Sequence, residues 1–448
     1  MEQEKRVNMI DGPFLRKIIL FAVPLAAASV LQLLFNAADI IVVGRYAGDF
    51  ALAAVSSTSS LVTLLVNVFM GLSIGCNVVA ARFLGANDDL GTSQTVHTSI
   101  FISLVGGVIM GIFGFFAANP MLKLMACPPE VIDLATLYLK IYFVGMPVMS
   151  LYNFGSALLR SIGDTKRPLI CLAISGVLNV VLNLLFVIKF HMSVAGVALA
   201  TIISQAVSAV MVLLILMKDQ GPLHLDLHKL RMHLPVFRQI AVVGLPAGLQ
   251  GMVFSVSNVV IQSAINGFGP IVMAGNGAAS NIEGFIYVAM NSCHQACVTF
   301  TSQNVGARRF KNITHIMLTC EGLVLMIGTI MGTMSYVFGH QLLGFYSTDP
   351  AVIEAGLARL AIVGVTYATC GCMDTMVGSL RGMGSSVMPM IISLLGSCVL
   401  RLVYVATIFQ MNPTPSTLYL CYPITWGVTL VANVIYFIYY RRKIEKIA

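Results

Sequence analysis

Between Ile18 and Val43 the chain carries a single ionisable side chain, Asp39. A run of that length constrains the fold strongly. About 20 apolar residues wound as a helix cross the hydrocarbon core of a bilayer, and a helix satisfies its own backbone polar groups there. The pattern recurs along the sequence, and twelve spans can be drawn: 14–43, 52–81, 94–118, 131–159, 168–188, 194–217, 236–265, 272–303, 313–338, 351–380, 388–409 and 416–440. Composition agrees, since 58% of the 448 residues are hydrophobic and 10% are charged, against about 25% charged in soluble domains. The expected class is an all-α integral membrane protein.

A net charge of +8 could suggest nucleic acid, but its distribution argues for a lipid bilayer as the partner and against nucleic acid. Lys and Arg concentrate in alternate connections: Lys5, Arg6, Arg16 and Lys17 before the first span, then Arg82, then Arg160, Lys166 and Arg167, and so on to Arg441, Arg442, Lys443 and Lys446. The remaining connections and span ends hold only Arg45, Lys123, Lys140, Lys189 and Arg359. The positive-inside rule then puts both termini in the cytoplasm, consistent with an even number of spans, in a multi-pass protein of the cytoplasmic membrane. The first span is expected to be retained, because its apolar run is too long for a cleaved signal and eleven spans follow.

The chain repeats itself. At a shift of about 221 residues, "LLRSIGDTKRP" from Leu158 lies over "SLRGMGSSVMP" from Ser379, pairing Arg160 with Arg381, Gly163 with Gly384 and Pro168 with Pro389. "PPEVID" from Pro128 falls on "DPAVIE" from Asp349, and Pro24 on Pro246 at one residue more. Each half then has six spans in the same orientation, a parallel repeat of the kind that builds secondary transporters. The expected organisation is an N-terminal lobe at 1–217, a cytoplasmic connection at 218–235 and a C-terminal lobe at 236–448. His224 and His228 in that connection have metal-like spacing, but "HLDLHKLRMH" reads better as an amphipathic surface segment.

Few carboxylates lie at depth: Asp39, Glu283, Asp374 and, nearer an end, Glu321. Each costs about 2.5–3.5 kcal/mol at a helix centre on insertion scales, so each is a candidate for function. Gln32, Asn36 and Asp39 recur at i, i+4 and i+7, one polar stripe on an apolar helix, and Pro24 upstream can kink it by removing a backbone hydrogen bond. Asn179 and Asn183 share a face of the fifth span. With Asp39 and Thr201 they could line an oxygen-rich pocket able to hold Na⁺ or water; alternatively the amides glue helices together. Asp374 is the repeat counterpart of Asn153. Glu283 and Arg401 both fall toward the outer halves of their spans, which suggests an ion pair between them; titration of Glu283 during transport is the alternative. Glu321 is expected to snorkel or be capped.

The ten cysteines lack a matching histidine cluster and read as packing residues. The 25 Met, 24 Phe and 14 Tyr suit a membrane core, and could equally line a cavity that repacks around varied ligands. Gly107 with Gly111 and Gly244 with Gly248 read as close helix packing. A phosphate-binding GxxxxGK[ST] loop is missing, as are HExxH and GxSxG. Transport would therefore run on an ion or substrate gradient, without enzymatic activity or a bound cofactor.

Pro24 with "NAADIIVVGRYAG", "GCNVVAARFLGA", "YNFGSALLRSIGDTKRP", "LNVVLN" followed by "AGVALATIISQ", and the repeated "LRGMGSSVMP" together resemble the multidrug and toxin extrusion (MATE) family over essentially the whole chain. The resemblance implies two six-helix lobes around a central cleft and export of organic, often cationic, compounds against inward H⁺ or Na⁺. It implies ion coupling at Asp39, with helix bending at Pro24, amide positions at Asn153 and Asn179, and a hydroxyl at Thr201. One position departs: members with a well-formed cation site in this lobe commonly have Asp where this chain has Asn183. That leaves one carboxylate, which favours H⁺ over Na⁺. A second branch of the family has acids on the seventh and tenth helices; here Asp374 is present and the seventh span has no carboxylate. The expected state is a monomer. A flippase for a lipid-linked saccharide or peptidoglycan precursor is the alternative, disfavoured because Arg401 is the one clear mid-membrane cation.

Overall fold

The computed structural model describes residues 8–447 apart from Ala126; Lys5 and Arg6, used above for orientation, lie outside the described residues. Helix accounts for nearly all of it. The first half runs α1 (Phe14–Tyr46), α2 (Asp49–Gly85), α3 (Asp89–Leu124), α4 (Pro129–Val144), α5 (Met146–Ser161), α6 (Lys166–Leu184) continued by a π-turn at Leu185–Lys189, and α7 (Ser193–Met217). The second half runs α8 (Leu234–Asn266), α9 (Pro270–Gly306), α10 (Phe310–Val337) and α11 (Gly339–Gly344). It continues with α12 (Pro350–Arg359), a π-turn at Leu360–Gly364 and α13 (Tyr367–Gly382). Then follow α14 (Val387–Ser393), a π-turn at Leu394–Val399, α15 (Leu400–Ala406), α16 (Ile408–Met411) and α17 (Pro415–Ile447).

Among the described residues nine helices are long and apolar enough to span a membrane, and the bent pairs α4–α5 and α12–α13 raise the number to eleven. The twelfth is α9. It has 37 residues but carries Asn276, Glu283, Asn291 and His294, and these polar side chains lower its hydropathy. The two bent spans are repeat counterparts, kinked by 49° and 43°. Both bends are braced by glycine. A Cβ at Gly107 would fall 2.5 Å from the Pro147 Cα, and one at Gly328 would fall 2.6 Å from the Ala368 Cα, so α3 and α10 approach the bends backbone to backbone.

The turns repeat as well. Gly163 and Gly384 follow their helices at φ 85° and 90°, and each donates its amide to the repeat-matched arginine carbonyl, Arg160 or Arg381. This is the left-handed helix stop that glycine adopts without a Cβ penalty. Gly48 with Gly269, and Asn87 with Arg308, are two more positive-φ pairs at the same shift.

Contacts divide the chain into a unit at 27–248 and a unit formed by 8–26 with the residues from Leu249 onward. The 218–235 connection, expected to separate the lobes, therefore lies within the first unit. The first turns of α8 belong there because Gly244 and Gly248 pack against Gly71 of α2. The start of α1 belongs to the second unit: Phe21 meets Phe300 edge-on at 5.7 Å, Phe14 meets His315 at 5.4 Å, and Asn304 donates to the Met9 carbonyl at 2.8 Å. The connection itself is anchored, with Leu223 and Leu225 buried and the His233 amide donating to Thr98 Oγ1 at 3.1 Å. His224 and His228 do not converge: one bonds the Asp219 carbonyl, the other is 99% exposed. The His228 amide holds the Asp226 carboxyl below the usual carboxylate range, the ordinary consequence of stabilising the charged form.

Candidate functional site

In the first unit, α1, α6 and α7 bring four of the expected residues into one chain of hydrogen bonds. The Asn183 Nδ2 donates to Asp39 Oδ1 and, at 3.3 Å, to Asn179 Oδ1. Asn179 Nδ2 in turn reaches Thr201 Oγ1 at 3.4 Å, and that hydroxyl donates to the Val197 carbonyl at 3.0 Å. Asn179 and Asn183 are one turn apart on α6, and a π-turn begins two residues after Asn183. Asn183 is fully buried and Asp39 half-buried. One atom is left over: Asn183 Oδ1 is buried without a hydrogen-bond partner. The remaining candidates do not join. Asn153 turns back to the Met149 carbonyl at 3.0 Å, Gln32 and Asn36 are exposed, and Pro24 lies inside α1 within the second unit.

The second unit holds a different polar system, and here the expected pairing needs correction. Glu283 does not pair with Arg401. Arg359 of α12 takes it through two bonds, Nε to Oε1 at 3.0 Å and Nη2 to Oε2 at 2.6 Å, and its Nη1 reaches Asn276 Oδ1 at 2.6 Å. Two parallel bonds to a planar carboxylate suit a guanidinium better than one long-range contact. Asn276 donates onward to Gln262 of α8 at 3.2 Å, and the guanidinium lies 5.3 Å from the Tyr422 ring centre. Arg359 was visible in the sequence as one of five basic residues outside the alternate connections where Lys and Arg concentrate. That exception to the charge pattern was the signal that it had a buried partner.

Arg401 instead donates to Asn258 at 3.2 Å. The Asp374 backbone carbonyl accepts from His294 Nδ1 at 2.6 Å, and the Tyr287 hydroxyl accepts from Asn291 Nδ2 at 3.4 Å. Glu321 is half-buried, with its Oε1 buried and without a hydrogen-bond partner. Arg381 binds Gln250 Oε1 at 2.8 Å. Tyr287, His294 and Gln250 were not singled out from sequence, since a lone tyrosine, histidine or glutamine in a span has no distinguishing spacing.

Two six-span repeats with buried polar clusters are the build of a secondary transporter, and comparison with known proteins identifies which class. The family model described as MatE matches residues 24–185 and 246–407, once in each half. The probable multidrug resistance protein YpnP of Bacillus subtilis is 28% identical over 408 residues, covering 90% of both chains. The multidrug export protein MepA of Staphylococcus saprophyticus is 24% identical over 92% of this chain and 90% of its own. A crystal structure of MATE in complex with MaL6 superposes with TM-score 0.92 at 21% identity, covering 99% of each chain. The chain belongs to the MATE family of multi-pass membrane transporters.

Proposed function

We propose that this chain is a cation-coupled antiporter that exports organic, often cationic, compounds by alternating access, with H⁺ as the coupling ion and Asp39 as its carrier. The observation that carries this reading is the hydrogen-bond chain from Asp39 through Asn183 and Asn179 to Thr201. The relatives are named as multidrug resistance and multidrug export proteins, which supports the substrate class. When ionised, Asp39 accepts a hydrogen bond from the Asn183 amide. When protonated it must donate one, and the unpartnered Asn183 Oδ1 becomes its acceptor if the amide turns over.

Proton gain at Asp39 therefore rewires the contact between α1 and α6 without adding a ligand. Na⁺ would need the Asn183 amide hydrogens turned away and would find one formal charge rather than two. Coupling follows if the two arrangements differ in affinity for the proton and for the exported compound. Pro24 leaves α1 one backbone hydrogen bond short between its start and Asp39. The protein acts as a monomer in the cytoplasmic membrane, with both termini inside and no cofactor. The decisive experiment is ethidium export by purified protein in liposomes, under an imposed H⁺ or Na⁺ gradient, for the native chain and Asp39→Asn. Proton-driven export that disappears in the variant, with expression unchanged, is the expected result. Normal export by Asp39→Asn would overturn the assignment.

A further inference from the structure

The connection between α7 and α8 takes no part in the polar clusters above, yet it is fixed on one side and open on the other. Its inner side is anchored to the first unit. Leu223 and Leu225 are buried, the His233 amide is held by Thr98, and His97 of α3 clasps the middle of the segment. That imidazole donates through Nδ1 to the Ser93 carbonyl at 2.7 Å, and its Nε2 accepts from the Asp226 amide at 3.2 Å. The outer side carries Leu227, Met232 and Leu234, which are 49%, 43% and 65% exposed, interleaved with exposed His228, Lys229 and Arg231. Apolar side chains set among basic ones are the composition of an interfacial segment, whose apolar groups enter the headgroup boundary while the cations stay at its surface. The outer face continues into α8. Arg238 lies one turn after Leu234, and Val242 and Leu245, each 50% exposed, follow it along the same side of the helix. Arg238 thus stands at the end of a lipid-facing stripe, from which a guanidinium reaches the phosphate level while its stem covers apolar surface.

Charge on this face is unbalanced. Of the acids between Lys218 and Arg238, Asp219 is 5% exposed and accepts from the Gly221 amide at 3.1 Å. Asp226 faces His228 and Lys229 at 3.4 and 3.5 Å. Arg231 donates to the His233 ring at 3.2 Å, and among the described residues no carboxylate pairs with Arg231 or Arg238. We propose that the outer face of residues 227–238 is a docking surface for an anionic phospholipid, whose headgroup charge is met by Lys229, Arg231 and Arg238 and whose chains begin along Val242 and Leu245. With the orientation proposed above, this face borders the cytoplasmic leaflet, where anionic lipids set a negative surface potential. Because His97 ties the segment to α3 and the segment runs directly into α8, a docked lipid braces the starts of both helices and stabilises the first unit. Free inorganic phosphate offers the same charge without the chains, and the test separates the two.

The test reads the melting temperature of the purified full-length protein in dodecyl maltoside micelles. Palmitoyl-oleoyl phosphatidylglycerol, the phosphatidylcholine with the same chains, or inorganic phosphate is added in turn. The expected result is a saturable rise with phosphatidylglycerol that the other two do not produce. Each of Lys229→Gln, Arg231→Gln and Arg238→Gln raises the concentration for the half-maximal rise about fivefold, the scale of one basic side chain at an anionic surface. The three together abolish the rise. These side chains are exposed, so the variants keep the native melting temperature when no lipid is added. Arg442→Gln with Lys443→Gln and Lys446→Gln removes as many exposed charges from the end of α17 and leaves the rise intact. Equal rises with both phospholipids would make this face a general lipid contact and overturn the proposal. A rise with inorganic phosphate equal to that with phosphatidylglycerol would make it a free-anion site, with the same consequence. Loss of the rise in the α17 variant would reduce the effect to net charge and overturn it too, as would no rise with phosphatidylglycerol at all. Micelles present lipid to every surface, so none of these outcomes depends on the proposed orientation or on export.

Discussion

Asp39 and Glu283 are both carboxylates at membrane depth, yet their partners make them different kinds of group. Glu283 is held by a guanidinium in two bonds, and removing one member strands the other. Arg359→Gln is therefore expected to lose about 3–5 kcal/mol of stability. The double variant Glu283→Gln with Arg359→Met should lose less than the single one, and thermal unfolding in detergent would show the order. Asp39 is bonded by one neutral amide, that of Asn183, so a second charge can be added beside it. Asn183→Asp should let an imposed Na⁺ gradient drive ethidium export, where the native chain is proposed to use H⁺. If Na⁺ still has no effect, charge count is not what selects the ion. At this scale the sequence was informative about which residues are polar at depth and poor about who meets whom. Asn179, Asn183 and Thr201 could be brought together because helical spacing and adjacent spans predict it. The partner of Glu283 could not be read from spacing, because α9 and α12 are separated by α10 and α11 in the chain and meet through tertiary packing.

At the scale of the element, the repeat is legible in sequence and its physical content is not. Matching letters at one shift revealed that Arg160 and Arg381 correspond. They did not reveal that both precede a glycine at positive φ, or that α4–α5 and α12–α13 bend where a glycine of α3 or α10 presses against backbone. Gly384→Ala is expected to cost about 1–2 kcal/mol, the strain of an ordinary residue in the left-handed region; the melting temperature would report it. Gly328→Leu should be far worse, because the obstacle is the Ala368 backbone rather than a side chain that can turn aside, and the yield of folded protein is the readout. The π-turns at Leu185–Lys189, Leu360–Gly364 and Leu394–Val399 left no trace in the hydrophobic pattern, since one extra residue in a turn barely shifts its phase.

For the whole molecule, the instructive fact is that α1 and α8 each belong to two units. Residues Asn8–Ala26 group with the second half of the chain, and those from Ala27 group with the first half. A short bismaleimide cross-link between Phe14→Cys and His315→Cys, residues whose rings are 5.4 Å apart, is expected to leave ethidium export intact, because both ends belong to one unit. Loss of export on cross-linking would mean that the start of α1 slides against α10 during the cycle. The polarity of α9 reaches back to how such a protein is made. Glu283 leaves the ribosome 76 residues ahead of Arg359, so for several seconds of synthesis, at roughly 5–20 residues per second, this helix carries an unpaired acid that lipid alone does not accept. It cannot enter the membrane singly on hydrophobicity; it has to wait at the insertion channel or shelter among earlier helices until α12 arrives. A chain cut short before Arg359 should leave α9 stranded outside the bilayer, where a complete chain has already drawn it in.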